Sequence, residues 1–390
     1  MAGLRREYPL AFPATRRFQI LTTDDFVDDL HHQLRSASSR VAIQLMTFDG
    51  DDAGQPVAEL LIEAAARGVR VELLIDSFAL RFVSDQMARR PAVRVEYNRT
   101  LDMYERLKNN GVDLRFTNPN GPFRLFSAAR NHKKLFAIDD VSYLGGVNVS
   151  DHNFAWHDFM VKVSDDNIHQ ALLEDFASTF DGVHQVVEQP ILTNEAVEQA
   201  FDELVSTARR RVIVASPYAV DRRLANLLEH APAFDKQVIV ATENNFRYLQ
   251  AITPYVTHRL ARAGARLSTY RSFSHAKFVL ADDRLLVGSS NFGCHSFWCN
   301  QEIGLLIDDP AFIAEFSALM LDGLVPVEVR TPFPKRWLGW VASVVMVGYL
   351  RAYARLIVPR VPPLRTVPEN HGRWARLTTP LGERAVGRRF

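Results

Sequence analysis

One polar phrase occurs twice in the chain, 143 residues apart, and it constrains the fold more than any other feature. His132-Lys133-Lys134 is followed by Asp139, Gly145-Gly146 and Asn148, and His275-Ala276-Lys277 by Asp282, Gly288-Ser289 and Asn291. In both copies Lys comes two residues after His, Asp seven, the first Gly thirteen and Asn sixteen. A single H-x-K-x4-D is a weak signal. Two copies in register, each running through an apolar stretch to its glycine, describe a tandem duplication that brings equivalent polar sets to one place.

The flanking elements repeat as well. The runs 40–49 and 211–220 read as short buried strands, apolar and β-branched, closed by turn-forming residues. Helical patterns start near Val57 and Leu224, and second strands follow from Val69 and Gln237. A further helix in each half ends at a glycine, Gly111 or Gly264, as a C-cap would require. Strand and helix alternating in this way predict an α/β fold with a largely parallel sheet. The expected architecture is two pseudo-twofold-related α/β halves with one active site at their junction. Residues 1–188 form the first half, 189–330 the second, and 331–390 a basic, lipophilic C-terminal segment. A chain of 390 residues is long enough for this.

The halves differ before the motif. Gly111 lies 21 residues ahead of His132, but Gly264 only 11 ahead of His275, so the first half carries an insertion over about 118–131. It is rich in Pro, Gly, Phe and Arg. At the mouth of a site, Phe123, Leu125 and Phe126 would meet lipid, and Arg124 or Arg130 would meet phosphate.

The net charge of +1 gives no sign of whole-molecule polyanion binding, but the charge is uneven: residues 351–390 hold nine Arg against Glu369 and Glu383. Such an excess reads as membrane or nucleic-acid contact. Just ahead of it, Trp337–Leu350 is an uncharged, mostly apolar run bounded by Lys335-Arg336 and Arg351. As a helix it would span roughly 21 Å, against about 30 Å for a bilayer core. Basic residues at both ends do not favour crossing. An in-plane or re-entrant anchor is therefore expected ahead of a true span or a packed helix, and membrane contact ahead of nucleic acid. Removing 337–390 should then release the protein from membranes and leave its chemistry largely intact. Residues 1–18 contain no apolar signal core, which puts the expected location at the cytoplasmic face of the membrane. Cys294 and Cys299, the only cysteines, rule out a disulfide scaffold and read as buried thiols, because no second ligand pair with metal spacing accompanies them.

In an extended chain, residues i and i+2 share a face. His132 and Lys134 therefore project together, as do His275 and Lys277. Packed face to face, the halves would line a cleft with two imidazoles, two ammonium groups and the amides of Asn148 and Asn291, a set suited to a phosphoryl group. Phosphodiester transfer needs an in-line nucleophile, an acid for the leaving oxygen and donors for the equatorial charge. One neutral imidazole can attack to form phosphohistidine, and the other can serve as acid and then base. With Lys134, Lys277, Asn148 and Asn291 as donors, neither metal nor cofactor is required. Asp158 and Glu302 follow the two asparagines by ten and eleven residues and are candidates for holding each histidine's other nitrogen. Asp139 and Asp282 complete the motif and are grouped with the catalytic set, although their place farther along the strand suits local structure better. His152 and His157 have no counterpart in the repeat and are expected to be non-catalytic neighbours.

These residues resemble the phospholipase D superfamily, whose hallmark is a duplicated H-x-K-x4-D followed by G-[GS]-x-N. The likeness covers roughly 40–309, and Arg130–Leu135, Leu144–Asn148, Val287–Asn291 and Asn300-Gln301-Glu302 look most like bacterial cardiolipin synthases. The resemblance implies a phosphatidyltransferase of phospholipid biosynthesis, with phosphatidylglycerol as the expected substrate and phosphohistidine as the intermediate. One motif histidine would be the nucleophile, with His132 favoured, and the other the acid/base. Hydrolysis of phospholipids is the alternative, followed by a nuclease of the same superfamily. Many cardiolipin synthases begin with two membrane-spanning helices, whereas the lipophilic segment of this chain lies near its C-terminus.

Overall fold

Each copy of the repeated phrase leads into a β-hairpin, and the rest of its half is arranged around that hairpin. In the first half the hairpin is β7 (Leu135–Ile138) and β8 (Val141–Gly145). It is extended by β9 (Phe159–Val163) and β1 (Phe18–Thr22) on one side. On the other lie β2 (Arg40–Leu45), β3 (Arg70–Asp76) and β6 (Asp113–Thr117). The order is β1-β9-β8-β7-β2-β3-β6, with β4 (Phe82–Val83) and β5 (Gln86–Met87) forming a separate small ribbon. This is a computed structural model, which describes residues 16–80, 82–83, 86–87, 91–183, 190–218, 222–241, 247–329 and 332–361.

The second half repeats the order. Its hairpin is β14 (Phe278–Ala281) and β15 (Arg284–Gly288), flanked by β16 (Ile303–Ile307) and β10 (Leu192–Thr193). The other flank is β11 (Arg211–Ser216), β12 (Asp235–Val240), β13 (Arg266–Thr269) and an added β17 (Val325–Pro326). The sheet reads β10-β16-β15-β14-β11-β12-β13-β17.

The expectation of a largely parallel sheet is corrected. Among the described strand pairings, only β2–β3, β3–β6 and their counterparts β11–β12 and β12–β13 are parallel, whereas every pairing of the motif hairpins is antiparallel. Ile138 pairs with Val141 across a two-residue turn, far too short for the crossover a parallel pair needs. The turn is made by Asp139, whose φ is 49°, and in the second half by Asp282 at 51°. Asp is one of the few residue types that tolerates this left-handed conformation.

Side-chain alternation sorts each hairpin between two cores. Leu135 and Ala137 face the other half, while Phe136 and Ile138 face the first half's own helices. Phe278 and Leu280 likewise face the shared core, while Val279 and Ala281 face the second half's helices. The two sheets therefore pack against each other through one hydrophobic layer, in which the Phe316 ring lies 5.1 Å from Phe159 and 4.9 Å from Phe278. This shared layer brings the starts of both hairpins to one junction.

The helix Phe333–Leu356 has no counterpart among the described residues of the first half. It lies along the helix Arg247–Arg262 and buries Gly339, Ser343, Leu350 and Tyr353, a stripe at heptad-like spacing. Gly339 is required at the crossing, since a Cβ there would fall 2.8 Å from the Ala251 carbonyl and from Tyr255 Cβ. The opposite face, including Trp337, Leu338, Val345 and Tyr349, is more than half exposed. The basic tail beyond Val361 lies outside the described residues.

Candidate active site

Both H-x-K segments are extended lead-ins to their hairpins, and alternation places them as expected. Lys134 Nζ donates to the His132 carbonyl at 2.7 Å, on the histidine's side of the chain. Lys133, between them, points the opposite way into a buried ion pair with Asp175 at 2.7 Å. In the second half Ala276 takes that inner position and joins the shared core. Lys277 repeats Lys134, with its Nζ bonded to the His275 carbonyl and 2.8 Å from His275 Nδ1.

The halves are stitched together through backbone. The His132 amide donates to the Gln301 carbonyl at 2.9 Å, and the Gln301 amide to the Arg130 carbonyl at 2.8 Å. In mirror fashion the His275 amide donates to the His157 carbonyl at 2.9 Å, and the His157 amide to the Phe273 carbonyl at 3.1 Å. His157 thus serves the site through its main chain, which no side-chain motif could announce.

The orienting carboxylates cross over. His132 Nδ1 lies 3.1 Å from Glu302 Oε2, and His275 Nδ1 lies 3.0 Å from Asp158 Oδ2. Each imidazole is therefore held by a carboxylate from the opposite half, and neither half contains a complete site. A neutral ring with its Nδ1 proton on the carboxylate leaves Nε2 as a free base. Trp156 packs against the His275 ring at 5.0 Å between centroids.

All four groups are buried. Burial pushes His132 down to about 4, with Glu302 opposing the shift and Lys134 adding to it. His275 is pushed down to about 3 by burial and then by Lys277, against the pull of Asp158. Burial works against the Glu302 charge, but His132, Lys134 and the Ser289 hydroxyl hold the carboxyl at about 2. Asp158 is also held below its usual range, since Lys277 and His275 outweigh the effect of burial. Both imidazoles are therefore neutral near pH 7.

The glycines explain how the carboxylates reach their histidines. A Cβ on Gly146 would sit 2.4 Å from Asp158 Oδ2. At the equivalent position Ser289 fits because the longer Glu302 side chain meets its hydroxyl, which donates to Oε2.

The structure does not bring Asp139 and Asp282, which the motif groups with the catalytic set, to this cluster. Each lies five residues past the lysine, roughly 16 Å along an extended chain. Asp139 accepts the amides of Ser38, Ser39 and Arg40 at 2.8–2.9 Å, and Asp282 those of Arg209, Arg210 and Arg211 at 2.8–3.0 Å. They fasten the loops that enter β2 and β11. Asn148 accepts from the Thr47 amide at 3.3 Å, while Asn291 keeps its Oδ1 buried without a partner among the described residues.

Within the insertion, Phe123 is 98% exposed and Leu125 half exposed. Phe126 folds back over Gly121. Arg130 is not available to phosphate, because it is buried in a 2.8 Å ion pair with Asp76, whose other oxygen accepts the Asn131 amide at 2.6 Å. This pair fixes the residue next to His132. Cys294 and Cys299 are buried on one short helix and form no disulfide.

The C-terminal helix is also tied to the site. The Tyr353 hydroxyl donates to the Leu125 carbonyl at 2.8 Å and accepts the Ala128 amide at 3.3 Å. The helix thereby holds the loop that leads into His132.

Residues 30–180 and 201–322 match the family described as Cardiolipin synthase, PLD-like domain. The minor cardiolipin synthase ClsB of Bacillus subtilis is 25% identical over 356 residues, covering 81% of this chain and 85% of that protein. Cardiolipin synthase A of Pseudomonas putida is 26% identical over 329 residues, and the matched region spans 75% of this chain but 65% of that relative. Among solved structures, phosphatidylserine synthase of Haemophilus influenzae superposes with a TM-score of 0.64 at 16% identity, covering 90% of this chain and 96% of that one. A polyphosphate kinase of Porphyromonas gingivalis shares the fold at a TM-score of 0.57 and 12% identity. With two matched segments that coincide with the two halves and meet at the crossed histidine–carboxylate pairs, the chain belongs to the cardiolipin synthase family of phospholipase D-like proteins.

Proposed function

We propose that this protein is a membrane-associated phosphatidyltransferase that makes cardiolipin, taking phosphatidylglycerol as both donor and acceptor. The observation that carries the reading is the crossed pairing of His132 with Glu302 and His275 with Asp158 in a cleft with two lysines. The neutral Nε2 of one histidine, with His132 favoured, attacks the donor phosphorus. The P–O bond to the glycerol headgroup breaks, and the other imidazole, protonated, gives its proton to that oxygen. The same ring then removes the proton from a hydroxyl of the second phosphatidylglycerol, whose oxygen displaces histidine from phosphorus. Protons and bonds balance over the cycle, with glycerol and cardiolipin as products.

Lys134 and Lys277 offset charge on the equatorial oxygens. The acid's proton is taken up from solvent as the substrate binds, because a phosphodiester anion beside a neutral ring favours the imidazolium. At the C-terminal helix, the exposed face of Trp337, Leu338, Val345 and Tyr349 supports an in-plane seat on the cytoplasmic leaflet, near the exposed Phe123 and Leu125 of the loop it holds.

The test is to incubate the purified protein with vesicles of labelled phosphatidylglycerol and identify the products. Cardiolipin and glycerol are expected. Phosphatidic acid alone would make the protein a hydrolase, and cleavage of oligonucleotides alone would overturn the lipid reading.

A further inference from the structure

Away from the histidines, the C-terminal helix forms one wall of a groove of about 690 Å³, whose other walls are helices of the second half. Leu227, Tyr255, Trp298, Val344 and Val347 give it an apolar lining. A second hollow of about 570 Å³ continues it past Trp298 and Arg351 to Arg355. Both volumes are within the range of small-molecule sites.

We propose that this groove holds one anionic phospholipid of the surrounding leaflet, distinct from the reacting lipids. Its phosphate would sit at Arg222, Arg351 and Arg355, and an acyl chain along Leu227, Trp298 and Val347. The charge pattern selects this occupant. No carboxylate lines either hollow. Arg223 is tied to Glu198 and Asp202, but Arg222, Arg351 and Arg355 have no carboxylate partner among the described residues. The Arg351 guanidinium lies over the Trp298 ring, 5.5 Å from its centroid, at the boundary between the cationic and apolar parts. The groove is continuous with the exposed face of the helix through Val344, which is 52% exposed and lines it. A lipid could therefore enter sideways without leaving its leaflet.

Position gives the site a consequence. Trp298 lies four residues before Glu302, on the short helix Cys294–Cys299. An occupied groove would brace that helix and the C-terminal helix together, close in sequence to Glu302, which holds His132. The choice of ligand rests on the proposed lipid activity, but the groove can be tested apart from it.

The full-length protein is mixed with phosphatidylcholine vesicles doped with phosphatidylglycerol carrying brominated acyl chains, which quench tryptophan on contact. The Trp298 signal is the difference between wild type and Trp298→Phe. Brominated phosphatidylglycerol should quench it at about fivefold lower mole fraction than brominated phosphatidylcholine, as expected for an arginine facing an anionic lipid. Arg351→Glu should erase that preference. Gly348→Leu should block quenching by filling the groove; Gly348 lines it, a Cβ there meets nothing within 4 Å, and replacing an interior helix glycine favours the helix. Equal quenching by both lipids, no quenching at all, or unchanged quenching in Gly348→Leu would overturn the proposal. Cardiolipin formation from detergent-dispersed phosphatidylglycerol is measured on the same proteins. Its absence with quenching intact would overturn the proposed function and leave the groove standing.

Discussion

Each histidine at the junction depends on a residue that its own half does not supply. Glu302 and Asp158 fix which ring nitrogen carries the proton, so replacing them by isosteric amides should leave the fold intact and misassign the tautomer. Asp158→Asn and Glu302→Gln should each lower kcat by about 10²–10⁴-fold, with a smaller effect on KM, measured on dispersed phosphatidylglycerol. Proton accounting gives a second prediction. Because burial holds His132 and His275 neutral, binding an inert phosphodiester anion near pH 7 should take up a proton, visible as a buffer-dependent binding enthalpy. The same shifts make stability depend on pH. Between about 6.5 and 4 the unfolded chain binds protons on these two residues that the folded chain refuses, so stability falls as pH drops through that window. A protein with both histidines changed to Gln should lose less stability over that interval.

At the scale of elements, the hairpin turns and the close approach beside Asp158 separate fold from chemistry. Asp139→Ala should cost about 1–3 kcal/mol of stability through the loss of bonds to three amides, while sparing turnover per folded molecule. Gly146→Ala should do the reverse and collapse turnover by displacing Asp158. The motif residues and the alternation that aims them were legible in the chain, because both follow from spacing. Asp158 and Glu302 were legible as orienting carboxylates, but their crossing was not. Which half a carboxylate serves depends on how two sheets dock, and no local pattern records that. Ser289 as a donor to Glu302, Arg130 in its pair with Asp76 and the His157 main chain were hidden for the same reason. The excess of parallel pairing came from reading strand–helix alternation through the motif, where two-residue turns make hairpins instead.

For the whole molecule, duplication is what makes the site. Two similar sheets share one hydrophobic layer, and the polar ends of their central hairpins meet in a single cleft, leaving the C-terminal helix, among the described residues, as the one large element outside the symmetry. The lipophilic run was evident from composition, but its docking stripe and its hold on the 118–131 loop were not, since the same residues would serve a span equally well. Charging the exposed face with Leu338→Lys and Val345→Lys should weaken vesicle binding, read by flotation, while activity on dispersed lipid persists. Tyr353→Phe should lower that activity without changing flotation, through the freed loop. The most direct test of a single site shared by both halves is to count the covalent intermediate, by acid-quenching the protein with labelled phosphatidylglycerol early in turnover. One labelled phosphohistidine per chain is predicted, confined to His132 or His275 and lost when the other is changed to Ala. Two labels per chain, one on each ring and each surviving loss of the other, would contradict a shared site.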